Sequence, residues 1–345
     1  MISRSEHFDL TSRNTFRMKV HCALYVEVTG ESDLEKLDWG ALPQPVFVMG
    51  GGSNLLFTRD FPGTILHVAI GGYHVGQGEG AVLVTCGAGT VFDDFCARAA
   101  SELLWGAENL SLIPGECGAS AVQNIGAYGV EAKDIIASIR AWDTVERRFV
   151  AIAPEDCAYG YRTSRFKTEW KDRYIITAVT YRLSRIPQPR LDYGGVRKAL
   201  EERNIPLENL TPEAVRETII GIRRQKLPDP EETGSAGSFF CNPVISREHF
   251  ARIETIARED NGPEYTVPHF EVGDRIKVPA AWMIDQCGFK GRRLGGAQVY
   301  PGQPLVIVNA TGEALPEEII ALEKQVIDTI AGKYGITLHP EVEHL

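Results

Sequence analysis

Val46-Phe47-Val48-Met49-Gly50-Gly51-Gly52-Ser53-Asn54 is the stretch on which the fold turns. Its four leading apolar residues read as a buried strand. The three glycines that follow let consecutive backbone N–H groups converge on one point without interference from a Cβ. Ser53 and Asn54 add side-chain donors. A phosphate suits such a loop, and glycines that serve only a tight turn are the other reading. A second run, Ile113-Pro114-Gly115-Glu116-Cys117-Gly118-Ala119-Ser120-Ala121-Val122-Gln123-Asn124-Ile125-Gly126-Ala127-Tyr128-Gly129, again combines small residues with amide and hydroxyl donors. Two loops of this kind in one domain suit a pyrophosphate held by backbone.

A third glycine pattern, Gly76-x-Gly78-x-x-Ala81, imitates the dinucleotide fingerprint. That motif needs a strand before it and a helix after it. Here a strand-like run, residues 81–86, follows, and a solvent-exposed hairpin is expected instead.

Outward from these loops, residues 64–70, 135–142 and 173–183 also read as strands. Residues 92–105 predict a helix, with Phe92, Phe95, Cys96, Ala99 and Leu103 on one face and the charges of Asp93 and Asp94 at its N-terminus. The first half is therefore α+β and strand-rich. Ile186-Pro187-Gln188-Pro189 and then Leu191-Asp192-Tyr193-Gly194-Gly195 mark a projecting loop. Thr211 and Pro212 open a helix whose inward stripe is Val215, Ile219 and Ile222, closing on Arg223, Arg224 and Lys226. Leu227-Pro228-Asp229-Pro230 and Gly234-Ser235-Ala236-Gly237-Ser238 then break the chain, so the domain boundary is expected between 225 and 226. Beyond it lies an α/β unit with a helix over 316–333, Ile319, Leu322, Val326 and Ile330 inward.

Composition narrows the function. The balance of 36 basic against 46 acidic residues gives −10, which argues against nucleic acid or an anionic membrane as the main partner. An anionic ligand must then find a local positive patch. No run approaches the ~20 apolar residues of a membrane span, and residues 1–16 are polar, so a cytoplasmic protein is expected. Seven cysteines, odd in number and never as close as CxxC, read as small buried hydrophobes. Eight histidines without an HExxH or a tight cluster point to no metal.

In order along the chain stand Gly50-Gly51-Gly52-Ser53-Asn54, the Ile113-to-Gly129 run, Tyr161-Arg162-x-Ser164-x-Phe166, Gly237-Ser238-Phe239-Phe240-x-Asn242-Pro243 and His339-Pro340-Glu341-Val342. Together, across residues 14–342, they resemble the UDP-N-acetylenolpyruvoylglucosamine reductase family, flavoenzymes that make UDP-N-acetylmuramate for peptidoglycan. The resemblance implies an FAD-binding fold of the vanillyl-alcohol oxidase (PCMH) type over 1–225, in subdomains of about 1–70 and 71–225. It also implies a substrate-binding domain over 226–345 whose last residues return to the active site. Residues 187–210 resemble the insertion of the subtype that closes a tyrosine loop over substrate.

The implied cofactor is non-covalent FAD, against Gly50, Gly51, Gly52, Ser53, Asn54, Gly115, Ala119, Ser120, Val122, Gly126, Ile176 and Arg223. The implied reaction passes hydride from NADPH through FAD N5 to the enolpyruvyl ether of UDP-N-acetylenolpyruvoylglucosamine. Negative charge that develops beside the substrate carboxylate needs a fixed cation and a proton source. The resemblance gives these roles to Arg162, whose guanidinium can fork onto a carboxylate, and to Ser238 as proton donor. Glu341 is placed by the resemblance either to steer the protonation or to position the carboxylate through Arg162 or water. Tyr193, Lys226, Asn242, Lys290 and Gln303 are implied substrate contacts. With Arg292 and Arg293, the two lysines supply the positive patch. A monomer is expected.

Three positions depart from the family pattern: Cys241 stands for a usual lysine, Ala121 for a usual proline, and Glu343 for a usual basic residue. Two other functions compete. An FAD oxidase of the same fold would lack Ser238 and Glu341 and often carries a histidine attached to its flavin; neither glycine loop holds a histidine. A nucleotide-sugar sensor would have lost catalysis, which intact Arg162, Ser238 and Glu341 oppose.

Overall fold

The computed structural model describes residues 2–345, and the chain divides into two units. The first comprises Met1–Leu10, His21–Gly52 and Asp60–Gln225; the second comprises Thr11–Val20, Ser53–Arg59 and Lys226–Leu345. Two short N-terminal segments thus belong with the C-terminal unit, which differs from the uninterrupted 1–225 expected from sequence. The physical reason is pairing. Ser235 donates its N–H to Thr15 O at 2.9 Å, Thr15 Oγ1 returns a bond to Ser235 O at 2.6 Å, and Leu55–Leu56 lies parallel to Glu343–His344.

Among the described residues the first unit holds a four-stranded sheet, a five-stranded sheet and the short pair Gly126–Ala127 with Val130–Glu131. In the four-stranded one, Ile2–Asp9 is antiparallel to His21–Val28, which runs parallel to Phe61–Val68, itself parallel to Val46–Met49. Phe61–Val68 is buried at all but one position, as an inner strand covered on both faces should be. The five-stranded antiparallel sheet runs in the order Arg148–Ile152, Ile136–Asp143, Tyr174–Leu183, Ala81–Gly87, Tyr73–Gly78. Its last two strands form a hairpin that pairs Gly78 with Ala81, with Gly80 at φ +66° in the turn. This is the segment that imitated a dinucleotide fingerprint.

One apolar core joins both sheets, from Val26 and Leu66 to Val84, Ile139 and Val179. The helix Phe92–Ser101 packs on it through Phe92, Phe95, Cys96 and Ala99. Tyr181 stacks on Phe95 at 4.2 Å, and its hydroxyl meets Ser120 Oγ at 2.9 Å, which fastens the helix Cys117–Gln123 to the sheet. The helix stops short of the expected residue 105. Leu103 takes φ +57° and lies 56% exposed, because the chain reverses there instead of adding another turn. A smaller cluster of Trp105, Leu191, Val196, Leu200, Leu210, Val215 and Ile219 seats the helices Val196–Glu202 and Pro212–Lys226. Asp93 and Arg216 form a two-pronged ion pair, one contact at 2.8 Å, that fixes the longer helix. Burial opposes the charge of Asp93, yet the bonds from Arg216 and from Leu112 N–H hold its carboxyl below the usual range.

The second unit carries a small antiparallel sheet, Gly234–Ser235, Ile307–Asn309, Ala297–Val299, Arg293–Leu294, and a three-stranded one built of Val244–Ser246, Arg275–Lys277 and Phe270–Val272. Pro316–Tyr334 is its longest helix, with Ile319, Leu322, Val326 and Ile330 buried. Pro316 opens it, Glu318 accepts from Leu315 N–H at 3.0 Å, and Gly335 at φ +67° ends it.

Candidate active site

In the first unit, Val46–Met49 delivers the glycines directly onto the second loop. A Cβ at Gly50 would lie 3.1 Å from Glu116 Oε2 and 3.6 Å from Ala119 Cβ. One at Gly51 would lie 3.5 Å from Gly115 Cα. Gly52 adopts φ +63° and Gly115 φ +117°, backbone that side chains resist. The structure therefore sets Gly50 and Gly51 against the second loop, Gly51 facing the backbone of Gly115 and Gly50 the side chains of Glu116 and Ala119. Ser120 faces inward, its hydroxyl donating to Cys117 O at 2.7 Å and its backbone N–H to Glu116 O at 3.1 Å. Val122 O accepts from Ser164 Oγ at 2.5 Å, which ties the loop to the Arg162 segment.

Arg162 closes over the end of the same loop. Its Nη2 donates to Gly126 O at 2.8 Å, and a Cβ on Gly126 would approach Arg162 Nη1 to 3.1 Å. Arg162 sits at φ +56° and Tyr128 at φ +47°. A left-handed backbone is costly for such residues and persists only where the surroundings enforce it. Asn124 does much of the enforcing. Fully buried, it donates to Gly160 O at 2.9 Å and Glu131 Oε2 at 3.0 Å and accepts from Lys133 N–H at 3.0 Å. It thereby fixes the turn that carries Arg162.

Arg223, on Pro212–Lys226, has a buried Nε–H with no hydrogen-bond partner. Burial pushes its guanidinium down, Tyr128 and Asp93 oppose that, and the charge of Arg162 pushes further the same way. Two guanidinium groups thus repel each other beside Tyr128 in a protein of net charge −10. Tyr193 lies against the same turn: a Cβ on Gly129 would meet Tyr193 Cβ at 3.2 Å, and one on Gly194 would meet the Tyr128 ring at 2.7 Å. Buried Asn109 ties the two segments, donating to Tyr128 O and Arg190 O, both at 2.8 Å. Ile176 is a buried core residue paired with Ala141, the ordinary place of an inner-strand residue.

In the second unit, residues 238–241 run alongside residues 339–341. Glu341 donates its N–H to Phe239 O at 2.8 Å, and Cys241 donates to His339 O at 3.0 Å. Ser238 and Glu341 therefore flank one short ladder, and both are half-buried. Asn54 belongs here: its Nδ2 donates to Glu341 O at 3.1 Å, and its carbonyl accepts from Glu343 N–H at 3.0 Å. Phe239 packs edge-on to Phe16 at 6.2 Å.

The cations expected for a diphosphate gather in part. A Cβ on Gly302 would lie 3.0 Å from Lys226 O, and one on Gly291 would lie 3.9 Å from Pro301 Cγ. The backbone of Lys226 and Gly291, the residue after Lys290, thus lies near the Pro301-Gly302-Gln303 turn, and both lysines are exposed. Asn242 is placed elsewhere, with Oδ1 accepting from Ala280 N–H at 2.8 Å at the start of the helix Ala280–Gln286. Arg292 lies over the Phe289 ring at 4.7 Å. Among the described residues no cluster of His, Cys, Asp or Glu could hold a metal ion, and no helix is long and apolar enough to cross a membrane.

A glycine cradle whose Cβ positions abut the facing loop, with a buried arginine Nε–H that has no hydrogen-bond partner, is a donor set that suits a dinucleotide cofactor. Residues 25–147 match the FAD-binding domain family. The fold and site therefore define an FAD-dependent oxidoreductase of α+β architecture. Residues 229–345 match the UDP-N-acetylenolpyruvoylglucosamine reductase C-terminal domain. The chain is 44% identical over 344 residues to the UDP-N-acetylenolpyruvoylglucosamine reductase of Bacteroides fragilis (strain YCH46), covering 99% of both chains. It is 41% identical over 349 residues to that of Porphyromonas gingivalis, covering 99% and 98%. The solved structure of the Thermus caldophilus enzyme has the same fold, with a TM-score of 0.68 at 21% identity over 100% of this chain and 98% of that one. The chain belongs to the UDP-N-acetylenolpyruvoylglucosamine reductase family.

Proposed function

We propose that this chain reduces UDP-N-acetylenolpyruvoylglucosamine to UDP-N-acetylmuramate with NADPH, and that Arg162, Ser238 and Glu341 divide the chemistry. FAD, when bound, accepts hydride from NADPH and passes it to the alkene. The protein's own contribution is charge and a proton. The Arg162 guanidinium, held by Gly126 O and by an enforced backbone, is suited to the substrate carboxylate as negative charge builds beside it. The Ser238 hydroxyl is a weak acid, but the carbanion-like carbon that it would protonate is a strong base. Glu341, one ladder step away, orients that transfer.

Gly50, Gly51, Gly52, Gly115, Ala119, Ser120, Val122 and Gly126 would hold FAD mostly through backbone, and Arg223 would meet its negative charge. Tyr193, Lys226, Lys290, Gln303 and Asn242 would hold the nucleotide sugar. A monomer working in the cytoplasm completes the reading. Its domains are a flavin region over 1–225, less the two segments that pair with the second unit, and a substrate region from 226.

The observation that carries the proposal is the glycine cradle of Gly50 and Gly51, together with a buried Arg223 Nε–H that has no hydrogen-bond partner. The test is spectroscopic. Purified protein should be yellow, bleach anaerobically with NADPH and recolour on addition of the enolpyruvyl substrate. A bleached protein that recolours with oxygen but not with that substrate would favour an oxidase.

A further inference from the structure

His67 lies in the inner strand Phe61–Val68, in register with Glu27 on one neighbouring strand and with Met49 on the other. Met49 is the residue immediately before the glycine cradle. The imidazole is nearly buried and lies between two carboxylates. Its Nδ1 is 3.0 Å from Glu27 Oε2, and its Nε2 is 2.9 Å from Glu116 Oε1. The side chains of Glu27 and Glu116 are 27% and 13% exposed, so water screens this triad poorly.

Only a doubly protonated ring donates from both nitrogens. A neutral ring keeps one hydrogen bond and turns a lone pair toward the other carboxylate, so one contact must open. Glu116 is where opening matters. Its carboxylate spans from His67 to the cradle, with Oε2 3.1 Å and Oε1 3.9 Å from the Cβ positions of Gly50 and Gly51. Among the described residues, titratable Tyr25 also lies beside the ring, 6.3 Å away between ring centres, with its hydroxyl 3.5 Å from Glu27 Oε2. Burial alone would push the imidazole down, but the hydrogen bond and charge of Glu116, then those of Glu27, outweigh it and the net direction is up.

We propose that His67 is a positioning residue of the cofactor cradle: its imidazolium clamps Glu116 against Gly50 and Gly51, so the protein grips FAD more tightly with that ring protonated than without. Two effects act together on deprotonation. Glu116 loses its tether and the loop slackens, and the triad goes from −1 to −2 close to where an anionic pyrophosphate would lie. The inference rests on the flavin reading of the site, and its mechanical half stands apart from it.

The test has a flavin arm and a flavin-free arm. FAD affinity, read from the flavin fluorescence released on dilution of the holoprotein, should weaken about tenfold as pH rises from about 6 to about 9. His67→Gln should bind as weakly as the wild type at the alkaline end, with a flat pH profile. Glu116→Gln, which keeps the shape of the loop, should also flatten the profile. In flavin-free protein, the Gly50 and Gly51 amide resonances should follow the same titration curve as the His67 ring. FAD affinity that is flat with pH in the wild type, or a His67→Gln protein that keeps the wild-type slope, overturns the proposal. Protein that carries no flavin at any pH ends the cofactor reading instead. The amide resonances would then still decide the clamp, supporting it if they titrate with His67 and overturning it if they do not.

Discussion

The glycines of the two units look alike in sequence and differ in what they are for. Around Gly50 and Gly51 an added Cβ would meet a carboxylate end, an alanine methyl and a glycine Cα at 3.1 to 3.6 Å, tight but yielding contacts. At Gly234 it would lie 2.4 Å from the backbone oxygen of Phe16, which cannot move without moving the chain. Gly50 and Gly51 thus face atoms that can yield, and Gly234 faces backbone that cannot. The side chains divide in the same way. In the proposed function the cradle would work through main chain, whereas the 238–241 and 339–341 ladder, joined by backbone bonds, carries the side chains of Ser238 and Glu341. Cofactor binding and proton delivery should therefore be separable by mutation.

Ser238→Ala is the sharpest separation. It removes one oxygen from a ladder made by backbone, so flavin content and reduction by NADPH should match the wild type. Recolouring by the enolpyruvyl substrate should slow about 10²- to 10⁴-fold, the usual worth of a positioned general acid. Stopped-flow absorbance of the two half-reactions decides it. Equal loss in both would break the division between cradle and ladder.

Arg162→Lys should have the next largest effect. Lysine keeps the charge but loses the fork that binds Gly126 O and could meet a carboxylate in two-pronged fashion. A fall of about 10²-fold in substrate-driven recolouring is expected, with the reduction by NADPH spared. If lysine supports wild-type recolouring, Arg162 serves the turn and not the reaction.

Gly234→Ala against Gly50→Ala sharpens the comparison itself. The first substitution forces backbone apart and should cost about 1–3 kcal/mol of stability, as overpacking does, seen as a lower Tm with wild-type flavin affinity in the folded fraction. The second asks only that the Glu116 carboxylate or a methyl give way by a few tenths of an ångström. Its Tm should stay near the wild type while FAD affinity falls. Reversed outcomes would mean that the Gly50 loop is structural.

Much of this contrast was legible before any coordinates, and the reasons are local. A glycine run after four apolar residues, a Pro-opened helix with a 3.6-residue stripe, and a hairpin around Gly80 are all decided by neighbours in sequence. The parts missed depend on distance along the chain. His67 meets Glu27 and Glu116 from 40 and 49 residues away, and Asn54 meets Glu341 from 287, spacings that no pattern marks. Thr11–Val20 leaves one unit to pair with Ser235 in the other, again without local signal. Ile2–Asp9 hid for a different reason: as a polar edge strand with no fully buried residue described, it shows too little alternation to read. Asn124 stood in a quoted motif, yet its role in fixing the Arg162 turn needs the fold to be seen. Leu103 fitted a helical stripe because periodicity does not reveal where the chain reverses.

The smallest effect concerns the C-terminal strand, where a histidine pair like that of the cradle sits in the side-chain-defined unit. His344 Nε2 is 2.9 Å from Glu323 Oε2 on Pro316–Tyr334, and the bond from Glu323, against some burial, holds the imidazole above its usual range. A base whose folded value is raised stabilises fully below its unfolded value near 6.5 and loses that contribution as pH rises through the folded one. The pair is partly exposed, so about 1 kcal/mol or less is expected. Tm should therefore drift down slightly above neutral pH, and His344→Gln should remove the drift. His67 reaches the cradle through Glu116, whereas His344 pairs with Glu323, so substitution of His344 should leave the pH profile of FAD affinity unchanged. A profile that moved with His344→Gln would mean that the two histidines are not independent, and the contrast between main-chain cradle and side-chain ladder would have to be redrawn.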